Sequence, residues 1–531
     1  MAVAEGDDQY SVWVGLIYIF NLIVGTGALT LPAAFARAGW GLSTIFLVFL
    51  AFMSFMNATF IIESMACANA VFKWKRLQYL KRNSMQDKKN SEQTTSKPPG
   101  YGELKEQTTS KPPGYGELKE QTTSKPPGYG ELEEQTTSKP HGYGELEYPI
   151  LCGDSTPSSY YSLDKRIELV EMANLFLNKT GQTMLYCILC VYLYGDLTIY
   201  SAAASKSLMD AVCSKVPSNM INITDWDDIP CFHASEGTFT RIDCYRMALL
   251  TFFAAMGPFV FFNVQKTKYL QLFTSGMRWL AFVIMISMAI HLLIKYGPQG
   301  KPPAFDITGM PTLFGACVYS FMCHHSLPGL ISPIRGKSHL GLHLSLDYML
   351  ISIFYLLLAF TGAFAFANLN DLYTLNFVPT DNENVFLEIV EYFLALFPVF
   401  TLSTSFPIIA ITLRNNLQSL FLDTSRLESY NFVVRKLIFP IVAVVPPLLV
   451  TYYFPEDISG LIELSGPYAG IWIQYLIPTF LVRSARRHCA NLLGLGVVNK
   501  YKSPFSNISW TVFVLLWSFI CLILLVLNRT E

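Results

Sequence analysis

The sequence predicts an all-α polytopic membrane protein of about eleven transmembrane helices, and three observations carry that expectation. The 531 residues are 52% hydrophobic and only 15% charged, against about 25% charged in ordinary soluble domains. Apolar runs of about 20 residues, long enough to cross a bilayer as a helix, recur from Trp13 almost to the C-terminus. Two of these runs are interrupted at mid-span by Gly, Pro and polar residues. The 38 Lys and Arg against 39 Asp and Glu leave no basic excess of the kind a nucleic-acid binder carries. No Ser/His/Asp set and no metal-spaced set of residues argues for an enzyme.

The candidate spans are 11–36, 40–66, 180–205, 243–263, 270–294, 309–332, 345–367, 385–413, 431–453, 459–481 and 506–527. The first follows an acidic leader (Glu5, Asp7, Asp8) and is too long for a cleavable signal peptide, so it reads as a retained helix. One set of connections carries Lys73, Lys75, Arg76, Lys266, Lys268, Arg335, Lys337, Arg414, Arg483, Arg486 and Arg487. The opposite set is poor in cations. By the positive-inside rule the N-terminus is cytosolic and the C-terminus luminal or extracellular.

Three stretches organise the chain: 1–66 with helices 1 and 2, a disordered cytosolic loop over 67–168, and 169–531 with helices 3–11. The loop 206–242 lies on the oxidising side, where Asn222 in Asn222-Ile223-Thr224 is a glycosylation acceptor. Cys213 and Cys231 could pair as a disulfide there or remain free thiols. No Cys-x-x-Cys pair points to zinc or redox chemistry. In the cytosolic loop a 14-residue unit, QTTSKPPGYGELKE and near copies, starts at Gln93, Gln107, Gln121 and Gln135. Over 93–148 it offers too little apolar surface to offset chain entropy and reads as disordered.

The first span contains Gly25-Thr26-Gly27 followed by Pro32. Gly and Pro weaken helix interiors, and in lipid a broken backbone is tolerated only against protein or a water-filled cavity. An unwound segment there would offer free amides and a half-helix N-terminus to a carboxylate. A close helix–helix notch needs the same small residues. The sixth span is interrupted over Gly315, Tyr319-Ser320-Phe321-Met322-Cys323-His324-His325-Ser326 and Pro328-Gly329. Breaks five spans apart are what a five-plus-five inverted repeat gives. Asp196, inside the third run, is a candidate for proton or cation coupling or a carboxylate hydrogen-bonded near a span end. Glu63 reads as a helix-end residue on the cytosolic side.

Asn21-x-x-x-Gly25-Thr26-Gly27-x-Leu29-x-x-Pro32, Ser320-Phe321-Met322-Cys323-His324 and Gly470…Tyr475-x-x-Pro478 together resemble the amino acid/auxin permease family of the amino acid-polyamine-organocation superfamily. The resemblance covers nearly all the membrane part and implies a LeuT-like fold with broken helices 1 and 6. It implies a secondary-active amino-acid transporter, its substrate a neutral amino acid, coupled to Na⁺ or H⁺. It assigns Gly25, Thr26 and Gly27 to the substrate carboxylate, and His324 to the family's Cys-His pair, with Ser320 beside it in the broken segment. Asn21 matches a residue of the family's cation site, and Ser403, Thr404 and Ser405 supply the hydroxyl expected before Pro407. His325 and Ser326 depart from the Pro usual after that His.

The repeats hold Pro-Pro-x-Tyr motifs at Pro98–Tyr101, Pro112–Tyr115 and Pro126–Tyr129, degraded in Pro140-His141-Gly142-Tyr143. Such motifs fit the WW domains of ubiquitin ligases. The overlapping Tyr-Gly-Glu-Leu resembles sorting signals read by clathrin adaptors, which places the protein in lysosomal, endosomal or plasma membrane. Neutral duplication of a spacer gives the same pattern. A non-transporting amino-acid sensor or scaffold, signalling through this loop, is the alternative function.

Overall fold

The structure is a computed structural model that describes residues 9–95, 160–213, 230–232, 239–261, 268–377, 385–422, 437–455, 468–494 and 497–528. Among these, no β-strand forms beyond two isolated bridges, and helices account for the architecture. Contacts divide the chain into one unit of 1–74 with 157–531 and a second of 75–156. Among the described residues six helices are long and apolar enough to cross a membrane, and a bent pair makes a seventh. The chain is a multi-pass membrane protein.

The first span is that bent pair: α1 (Val12–Ile23) and α2 (Thr26–Ala38), turned by 54° at the break. Ser11 caps α1 by accepting from the Val14 amide. Then α3 (Trp40–Thr95) runs for 56 residues, more than twice the length of about 20 that a bilayer crossing needs. That corrects the expectation of disorder from residue 67: between Gly41 and Pro98 the sequence holds no Gly or Pro, so nothing stops the helix before the prolines of the repeats. The other end of the expected loop is also ordered. Tyr161, Leu163 and Ile167 are buried, and the Asn69 amide donates to the Lys165 carbonyl at 3.1 Å. The motifs at 98–143 lie outside the described residues.

Next come α4 (Leu169–Phe176) and α5 (Lys179–Val212), the latter capped by Asn178. Then α6 (Arg241–Met256) starts in a capping box of Thr240 with Asp243. Cys213 and Cys231 are bonded, with Cα atoms 4.7 Å apart. Arg241 pairs with Asp210 beside them. Asn222 lies outside the described residues. α7 (Lys268–Tyr296) follows.

The sixth span is broken too. α8 (Met310–Ser320) stops, residues 321–326 are non-helical, and α9 (Leu327–Ile331) restarts with Pro328 in its first turn, where its missing N–H costs nothing. Then α10 (Leu340–Ala365), α11 (Val385–Phe421) and α12 (Phe439–Tyr453) complete this part. A π turn at Trp472–Leu476 leads into α13 (Ile477–Leu493), and α14 (Ile508–Asn528) ends the described chain.

Two straps close the ends of the broken spans. At the start of the chain, the Tyr10 amide donates to Pro333 and the Arg335 amide to Tyr10, joining the segment before α1 to the segment after α9. At the other end, residues 303–306 exchange backbone bonds with the α2–α3 corner, Trp40 to Pro303 and Asp306 to Ala38. Gly39 takes φ 89° there, where an added Cβ would meet the Pro303 carbonyl at 2.7 Å. Thr308 donates from its amide and hydroxyl to Asp306, holding that carboxyl below the usual range. Arg37 and Asp371 pair nearby at 2.9 Å.

Candidate functional site

The two breaks touch. A Cβ added at Gly27 would lie 2.7 Å from Ser320 Cα and 2.7 Å from its Oγ, so only glycine lets the start of α2 approach the end of α8 this closely. At Gly25 an added Cβ would meet nothing nearer than the Tyr200 hydroxyl at 3.9 Å. The space beside the break is therefore at Gly25, and Gly27 is a packing position. The first amides of α2, from Thr26 on, have no carbonyl partners within their own helix, and the dipole there favours an anion. Ser320 itself donates its hydroxyl back to Ala316 at 2.6 Å.

The opposite end of the break presents carbonyls, and side chains from other helices serve them. Arg278, on α7 and only 6% exposed, donates Nη1 to the Asn21 carbonyl and to the Val24 carbonyl at 3.1 Å. The Tyr355 hydroxyl on α10 lies 3.1 Å from the Ile23 carbonyl and 3.0 Å from the Ser320 carbonyl. Its one proton is shared between the last carbonyls of α1 and α8. Trp279 stacks on Phe20 with ring centroids 4.5 Å apart and fixes α7 against α1.

Asp196 on α5 is buried, and Tyr319 and Tyr192 hydrogen-bond to it. Its Oδ1 has no partner among the described residues. Tyr200, one turn along α5, interacts electrostatically with both Asp196 and Arg278. Asp196, Tyr200, Gly25 and Arg278 thus form one connected polar neighbourhood. Tyr192 also meets the His325 ring at 5.3 Å.

His324 is fully buried, with Nε2 3.1 Å from the Ser54 carbonyl on α3. A carbonyl only accepts, so Nε2 carries the proton. Nδ1 has no partner among the described residues. Ser54 returns its hydroxyl to the Phe321 carbonyl at 3.0 Å. This pair braces the break of the sixth span against α3. On α11, Thr404 and Ser405 donate to the Thr401 carbonyl of their own helix. Among the described residues no hydrogen bond joins them or Ser403 to α1.

Sequence reasoning missed Arg278, Tyr355, Tyr200 and Gln474. The signal for Arg278 was present: a cation within the apolar run 270–294 marks function or a cavity. Gln474 is fully buried in the π turn, and neither of its side-chain polar atoms has a partner among the described residues. Such turns cluster at functional sites, but nothing in the sequence announces them. Glu63 also reads differently in the structure. It is 3% exposed at its side chain, accepts from Arg486 at 2.7 Å and 2.8 Å, and takes the Ser503 amide at 3.0 Å. An apolar recess of about 480 Å³ between α6 and α12, lined by Phe253, Pro258, Pro440 and Val444 among others, shares no residue with the breaks.

The chain is similar to known proteins over most of its length. The family profile described as transmembrane amino acid transporter protein matches residues 8–79 and 164–527, leaving out the repeats. A Drosophila melanogaster protein named transmembrane protein 104 homolog is 50% identical over 99% of this chain and 98% of its own length. The human transmembrane protein 104 is 43% identical over 99% of this chain and 98% of its own. A Dictyostelium discoideum homolog of the same name is 31% identical over 97% and 96%.

Proposed function

Because this chain belongs to the transmembrane amino acid transporter family, we propose that it is a secondary-active carrier of amino acids with its substrate seat at the break between α1 and α2. The observation that carries the reading is the contact of two broken spans at Gly27 and Ser320. Helix termini meeting inside a bundle provide directed dipoles without water. The substrate carboxylate is held by the first amides of α2, at Thr26 and Gly27, and the side chain of the substrate lies toward Gly25 and Tyr200. An ion gradient drives uphill movement, and Asp196 is a titratable group close to the seat. Alternating access breaks one of the two straps at a time, the one at Tyr10 or the one at 303–306.

The test is uptake of labelled amino acids by proteoliposomes containing the purified full chain. The expected result is saturable accumulation that requires an imposed ion gradient and collapses with an ionophore. Saturable binding without flux would overturn the carrier reading in favour of a sensor.

A further inference from the structure

The family resemblance calls for an alkali cation at Asn21 and the hydroxyls before Pro407, and the residues present do not fit one. The backbone oxygens that such an ion would take at the end of α1 already have protein donors. Arg278 fills the carbonyls of Asn21 and Val24, and Tyr355 serves those of Ile23 and Ser320. We infer that the Arg278 guanidinium is the resident cation of the helix-1 break, so that the site works without sodium. The inference rests on the carrier reading for its meaning in transport, but not for its geometry.

The burial, partners and charge of Arg278 support it. Arg278 is buried, and among the described residues no carboxylate pairs with it. A buried charge without a counter-ion persists only where dipoles solvate it. The C-terminal carbonyls of α1 carry about half a negative charge together, and they are what Arg278 bonds. A guanidinium stays protonated at any accessible pH, so the positive charge at this place is permanent. An alkali ion bound to the same carbonyls would sit beside that like charge.

On the other side of the expected site, Thr404 and Ser405 donate to the Thr401 carbonyl of their own helix, and among the described residues no hydrogen bond joins them to α1. With sodium excluded, Asp196 is a titratable group near the break, and its Oδ1, which has no partner among the described residues, is where a proton would be carried.

The experiment is thermal unfolding of the purified full chain in NaCl and in choline chloride at equal ionic strength. It needs no transport activity. The wild-type midpoint is expected to be the same in both salts, and a saturable, sodium-specific rise would overturn the inference. Arg278→Ala empties the carbonyl cup. It is expected to unfold earlier in choline and to gain a sodium-specific rise of several degrees. A folded R278A protein indifferent to sodium would show that the cup is not a cation seat and would also overturn the inference. Should R278A fail to fold, the wild-type comparison decides alone. Absent uptake together with equal wild-type midpoints would defeat the carrier reading and leave this one standing.

Discussion

At the scale of single residues, the two glycines of the first break do different work. Gly27 is packed on the Ser320 backbone, whereas Gly25 opens toward Tyr200. Gly27→Ala is therefore expected to lower stability, by roughly 1–3 kcal/mol as overpacking usually does. Gly25→Leu is expected to leave the thermal midpoint near wild type and to weaken amino-acid binding at least tenfold. Unfolding curves and ligand titrations of the two variants check this, and equal loss of stability in both would contradict the assignment. The glycines were legible in the sequence as a pair, but their separate roles were not, because the close approach comes from a chain segment nearly 300 residues away. Asp196 and His324 were legible for the same reason that Arg278 should have been: each interrupts an apolar run. What the sequence could not say is which backbone oxygens the guanidinium would reach, since those belong to a different helix.

At the scale of elements, the breaks of the first and sixth spans follow from local chemistry. Gly, Pro and polar residues concentrate where α1 gives way to α2 and α8 to α9. The long run of α3 and the π turn before α13 were not anticipated. The first follows from an absence of breakers, which periodicity in a membrane span obscures. The second depends on packing, with Gly470 pressed against Val318 at 2.5 Å from its added Cβ. Glu63 and Arg486 tie α3 to α13 away from the breaks. Removing one member of such a buried pair strands the other, at a cost of about 3–5 kcal/mol. Glu63→Ala is expected to approach the lower figure, because Arg486 is 23% exposed. The Glu63→Ala/Arg486→Ala double variant should lose less than the sum of the singles. Denaturant titration in detergent measures both, and strict additivity would show that the pair contributes nothing as a pair.

At the scale of the whole molecule, the family match omits the stretch that carries the repeats. Deletion of 93–148 is expected to leave amino-acid affinity and thermal midpoint unchanged while altering surface abundance or turnover. Binding to the purified deletion protein and pulse-chase in cells test the two halves, and a changed affinity would mean that the loop belongs to the site. The polytopic helical class was legible in composition alone, as lipid demands satisfied backbone and leaves few architectures. The arrangement that brings Tyr355 to both breaks was not, because it depends on how three spans meet. That hydroxyl has a consequence for motion. A single proton cannot fully satisfy two acceptors, so any movement that parts the first span from the sixth obliges Tyr355 to keep one carbonyl and abandon the other. The contact between the two spans thus rests on one hydroxyl that cannot satisfy both sides at once.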